Sequence, residues 1–159
     1  MDLFGTLEKL YDLVSSSKNR VWVFEKFQKQ RYPKSQIKPL KKVDTTRQNS
    51  QSSALTTVND TFLAILDISD SIRHSEETTG RKAEFEAGNL RSYMTTERFI
   101  FTTFIFQKLF SSRQPLSKIL QNHDLNLFAA AEMVNRTKNQ IFAIRNYDNF
   151  QEILKQKNL

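Results

Sequence analysis

Cysteine is absent from this chain of 159 residues, which excludes a disulfide, a thiolate nucleophile and any zinc site built on cysteine. Histidine is nearly as scarce. The two present, His74 and His123, stand too far apart for metal-ligand spacing, so neither a metal nor a cofactor is expected. Three glycines and three prolines supply few of the turns that a sandwich or barrel requires. Leu, Lys, Gln and Glu are plentiful and favour helix, so the expected fold is all-α, an irregular bundle of about seven or eight helices.

Long apolar runs are missing as well. The most apolar stretch, Phe99 to Phe110, is interrupted by Thr102, Thr103, Gln107 and Lys108. The opening MDLFGTLEKL has no basic region followed by an apolar core. Neither a membrane span nor a secretory signal is expected, and the length suits a single domain. Acidic residues are outnumbered, 17 against 24 Lys and Arg, and the resulting net charge of +7 suits an anionic partner such as nucleic acid while also serving solubility.

Helical spacing accounts for most of what is present. Leu3, Leu7, Leu10 and Val14 repeat on one face and end at Ser15-Ser16-Ser17, a sequence able to close one helix and cap the next; helix one is expected over 3–14. Val21, Phe24 and Phe27 continue the pattern over 18–31, where Pro33 ends it by disfavouring helical geometry at Tyr32. A third stripe through Ala54, Leu55, Val58, Phe62, Ile65, Leu66 and Ile72 predicts one helix over 51–73, with His74 at its C-terminus and a polar loop to Gly80. Ala83, Ala87, Leu90 and Met94 mark a fourth, with small residues that allow a close neighbour.

The aromatic run from Phe99 reads as helix, because its length exceeds a normal strand and nothing else in the chain offers a strand to pair with it. The six phenylalanines from Phe85 to Phe110 are expected in the core. A short helix through Leu116, Ile119 and Leu120 follows. Asp124 then caps a long helix whose stripe runs through Leu127, Phe128, Ala131, Val134, Ile141 and Ile144. Asp148 and Gln151 form a capping pair for a last helix bearing Phe150, Ile153 and Leu154.

Charge is concentrated. Between Lys18 and Arg47 lie ten Lys or Arg and only two acids, Glu25 and Asp44, whereas the following helix carries Asp60, Asp67 and Asp70. Residues 32–51, polar and with two prolines, read as an extended basic loop. Lys34, Lys38, Lys41, Lys42 and Arg47 are its candidate phosphate-binding residues.

The polar residues Ser117, Lys118, Gln121 and Asp124 in L-S-K-x-L-Q-x-x-D-L, followed by a long amphipathic helix, an Arg and F-x-x-I-L, resemble the helical region of hAT-family transposases. The likeness is greatest to the subgroup with zinc-finger MYM-type proteins and the repressor of the inhibitor of the protein kinase. Phe4 to Arg20, F-x-x-L-x-x-L-Y-x-x-x-S-x-S-x-x-R, is similar to the family segment that follows the strand bearing the second catalytic Asp. That strand has no counterpart here, and Asp2 and Asp12 do not match it. Within the basic loop, Thr46 and Arg47 match the family's T-R-W-S-x-R motif, and Gln48 stands where the family has the Trp that stacks on DNA.

What the resemblance implies is the helical insertion that interrupts an RNase H-like catalytic fold, here without the two Asp and one Glu that hold divalent metals. It implies a non-catalytic remnant or fragment, a nuclear location, and weak, sequence-nonspecific contact with DNA through Lys34, Lys38, Lys41, Lys42, Thr46, Arg47 and Gln48. The other reading of the same residues is a protein-interaction scaffold that has lost the nucleic-acid work. No small-molecule substrate is implied.

Overall fold

The computed structural model describes residues 2–44, 48–74, 81–121 and 127–144, apart from the side chain of Gln48. Among them stand seven α-helices and no strand: α1 Leu3–Ser15, α2 Lys18–Arg31, α3 Gln48–Asp60, α4 Phe62–Arg73, α5 Arg81–Met94, α6 Glu97–Leu120 and α7 Leu127–Ile144. The all-α expectation is met. The length suggested one domain; packing forms two compact units, Met1–Thr103 and Phe104–Leu159.

In the first unit α4 packs against both α2 and α5, while α1 touches α2, α3 and α5. Each helix sends its periodic face inward. Leu7, Leu10 and Val14 of α1, Phe24 of α2, Leu55 of α3, Ile65 and Ile68 of α4, and Leu90 and Met94 of α5 are all at most 2% exposed. Burying each such side chain contributes roughly 1.5–3 kcal/mol. Small residues set the spacing: Ala64, Ser69 and Ala87 are fully enclosed, so the α4 and α5 backbones can approach closely. Phe99 closes the core from the first turn of α6 and meets the Tyr93 ring edge-on at 5.6 Å.

Helix ends follow local chemistry. Asp2 caps α1, its carboxylate accepting the Gly5 N–H at 2.6 Å. At the junction of α1 and α2, Ser16 Oγ and the Arg20 guanidinium both donate to the Leu13 carbonyl, at 2.8 and 3.0 Å. Ser17 holds the N-cap position of α2 in extended geometry but makes no side-chain capping bond, so the serine cap is positional only.

Other expectations are corrected. The single helix expected over 51–73 is two, interrupted at Thr61, and the first begins three residues earlier, at Gln48. Thr57 and Thr61 donate their hydroxyls to the Ser53 and Thr57 carbonyls at 3.0 and 2.8 Å, a back-bonding that bends helices, beside the weak helix formers Asn59 and Asp60. Conversely, the expected break between Phe110 and Leu116 is absent: α6 runs through Pro115. Pro115 is exposed, so the carbonyl that its missing N–H would have met can turn to water.

In the second unit the apolar stripe of α7 marks its buried face only in part, at the half-buried Ile141 and Ile144. Leu127, Phe128 and Val134 are 76%, 84% and 45% exposed, and the buried residues of α7 are Ala130 and Thr137. Close approach favours the small side chains and leaves the bulky ones outside. The phenylalanine cluster is also less enclosed than expected, since Phe99 is buried but Phe85 is 73% exposed. The Asp124 cap and the helix expected around Phe150 to Leu154 lie outside the described residues.

Candidate nucleic-acid interface

The basic connection leaves α2 at Tyr32, turns at 33–35 and runs without regular secondary structure to residue 44, and its neighbours hold it by main-chain bonds. Gln28, 3% exposed, clasps the Lys38 peptide from both sides: Nε2 donates to the Lys38 carbonyl at 3.1 Å, and the Lys38 N–H donates to Oε1 at 2.9 Å. Further along, Val43 is buried. The Ser50 hydroxyl donates to the Lys42 carbonyl and accepts the Asp44 N–H, both at 2.9 Å. Tyr32 ties the start down by accepting the Leu63 N–H at 3.2 Å, one of the orphan donors in the first turn of α4. Residues 32–44 are therefore a strap with a defined path, and α3 begins at Gln48 where 51 was expected.

The candidate cations fare differently along it. Lys34 and Lys42 are exposed and make no ion pair among the described residues. Lys41 is exposed as well, its ammonium donating to the Ser53 hydroxyl. Lys38 is ion-paired with Asp60 at 2.5 Å. Thr46 and Arg47 lie outside the described residues; Gln48 is the first residue of α3, and only its backbone is described.

Sequence reasoning passed over two further residues. Arg31, in the last turn of α2, reaches across to α4 and grips Asp67 with two bonds, Nε to Oδ2 at 2.6 Å and a terminal nitrogen to Oδ1 at 2.8 Å. The hydrogen bond and charge of Asp67 hold the guanidinium above its ordinary pKa. The acidic stripe thus neutralises part of the basic segment, Asp60 taking Lys38 and Asp67 taking Arg31, while Asp70 pairs with Arg91 of α5 at 2.7 Å.

Trp22 is the second. It lies off the Val21, Phe24 and Phe27 stripe, on the solvent face of α2, and is 60% exposed. Lys18 and Lys26, four residues to either side, and Lys29, seven beyond, share that face and are exposed. The Lys26 ammonium sits 5.6 Å from the ring centroid. The spacing K-x-x-x-W-x-x-x-K-x-x-K was legible in the sequence.

Cavities also open among the described residues. One of about 190 Å³ lies beneath the strap, bordered by Tyr32, Ser35, Gln36, Lys38, Asp60 and Thr61. Another, about 410 Å³, is an apolar groove in the second unit between Arg113 and Leu116 of α6 and Val134, Thr137, Ile141 and Phe142 of α7. No helix among the described residues is long and apolar enough to cross a membrane. Comparison with protein families, with curated proteins and with solved structures found no match to this chain.

Proposed function

We propose that this chain is a non-catalytic helical module derived from a hAT-type DNA transposase, which acts in the nucleus and contacts DNA through its basic strap. The transposase origin rests on the motif resemblance from Phe4 to Arg20 and from Leu116 to Leu154. The observation that carries the DNA reading is the strap: Lys34, Lys41 and Lys42 stand exposed on a main chain pinned by Gln28, Val43 and Ser50. Pinning lowers the entropy lost on binding, and each ammonium that meets a phosphate releases a counterion. None of these groups reads a base edge, so the binding is independent of sequence. By the resemblance, Thr46 and Arg47 extend the contact and Gln48 occupies the stacking position.

Fluorescence anisotropy of labelled duplex and hairpin DNA tests the proposal. Wild-type protein should bind both at low salt, and each phosphate contact should add about 0.9 to the slope of log affinity against log salt on duplex. The Lys34→Ala, Lys41→Ala, Lys42→Ala triple variant should lose most of that slope. Gln48→Trp should improve hairpin or frayed ends over intact duplex by about 1–3 kcal/mol. Absence of binding at low salt overturns the DNA reading. The competing reading, a protein-interaction scaffold, then gains from the apolar groove of the second unit, where Phe142 is 57% exposed beside it.

A further inference from the structure

Resting on the reading of this chain as a DNA-contacting module, we infer that Trp22 is a stacking platform for an unpaired nucleobase, flanked by Lys18, Lys26 and Lys29 as phosphate ligands.

A tryptophan is the largest apolar side chain, and leaving 60% of it in water forgoes most of what its burial would contribute. Position makes this one informative. The buried side of α2 holds Phe24 and Gln28, and the opposite side presents Trp22 within a row of cations, the residues Lys18, Lys26 and Lys29 one, one and two turns away. Glu25, half-buried at the margin of that face, is the one acid in α2. An aromatic plane set among ammonium groups is the arrangement by which single strands are held irrespective of sequence: bases stack on the ring and the backbone runs along the charges.

The ring face already meets a cation. Lys26 lies over it at 5.6 Å, an exposed contact that shifts an equilibrium by only a few-fold. A base offers a larger flat surface and displaces the ammonium toward a phosphate a few ångströms away, so Lys26 changes partner without losing one. This gives the protein a ring on α2 for unpaired bases that the glutamine at position 48 does not provide. It also predicts a preference for single-stranded over duplex DNA, since a paired base has no face to offer.

Trp22 is the only tryptophan in the chain, so its emission reports on this site alone. The full-length protein is titrated at low salt with dye-labelled oligothymidylate and with a duplex, following dye anisotropy and tryptophan emission on separate samples with and without dye. The single strand should quench Trp22 emission strongly and the duplex little. Trp22→Ala should weaken single-strand binding roughly tenfold or more and leave duplex binding within about twofold, while Trp22→Phe should recover part of the loss. Lys26→Ala should lower the single-strand salt slope by about 0.7. Because the side chain is exposed, circular dichroism of the variants should match wild type. If anisotropy shows binding but Trp22 emission is unchanged and Trp22→Ala binds as wild type does, the platform is refuted and the strap reading stands. If neither nucleic acid binds at low salt, both fall together.

Discussion

The two units of the chain are both helical and treat apolar side chains in different ways. In the first, five successive helices each send a stripe of Leu, Ile, Val, Phe or Met into a shared core, and residues such as Leu10, Ile65 and Leu90 have no exposure at all. In the second, the buried residues of the described stretch are Ala130 and Thr137, whereas Leu127, Phe128 and Phe142 remain 76%, 84% and 57% exposed. Composition does not explain the contrast, since the second unit is the richer of the two in apolar residues. What differs is the number of helices that share one interior: several stripes converging on a common centre enclose one another, and a surface helix with more apolar faces than neighbours must leave one open. Periodicity reports that a face is apolar, and neighbours decide whether it is buried.

Truncation should show the contrast most sharply. Leu10→Ala empties a fully enclosed site and should destabilise the protein by about 2–5 kcal/mol in urea unfolding. Phe142→Ala, though it removes more atoms, should change stability by less than about 1 kcal/mol, because the side chain is largely in water already. Equal costs at the two sites would mean that α7 is buried in solution and would dissolve the distinction between the units.

Proline offers a smaller test of the same difference. A helix with less tertiary packing depends more on its own backbone, and Pro115 lies exposed within α6. Pro115→Ala restores a donor and removes a ring clash, so stability should rise by about 1–3 kcal/mol, with a gain in ellipticity at the helix minimum. A loss would show that the proline ring is required for packing.

The smallest effect belongs to α1, a helix of the well-packed first unit. Alanine at Gly5 favours α1 by up to about 1 kcal/mol, but its Cβ would stand 2.7 Å from the capping carboxylate of Asp2 and push it off the N-terminus, at a cost of about the same size. Gly5→Ala should therefore be nearly neutral, and Gly5→Ala in an Asp2→Ala background should be stabilising. The sign change between the two backgrounds, read from denaturation midpoints, isolates the cap from the propensity.

Helices and several of their ends were determined by the sequence alone, because these depend on interactions within a few residues: the apolar spacing over 18–31, the proline at 33 that closes it, and the glycine at 80 before the fourth helix. The charge excess of Lys18 to Arg47 was equally visible. Which of those charges remain open was decided only in three dimensions, since Arg31 meets Asp67 across 36 residues and Lys38 meets Asp60 across 22. The same holds for the break at Thr61, where buried hydroxyls bond back to the preceding turn, and for the face that α7 turns inward. A side chain's tendency to leave water is written in its chemistry, but the partner that lets it do so comes from elsewhere in the chain, and only the folded structure brings the two together.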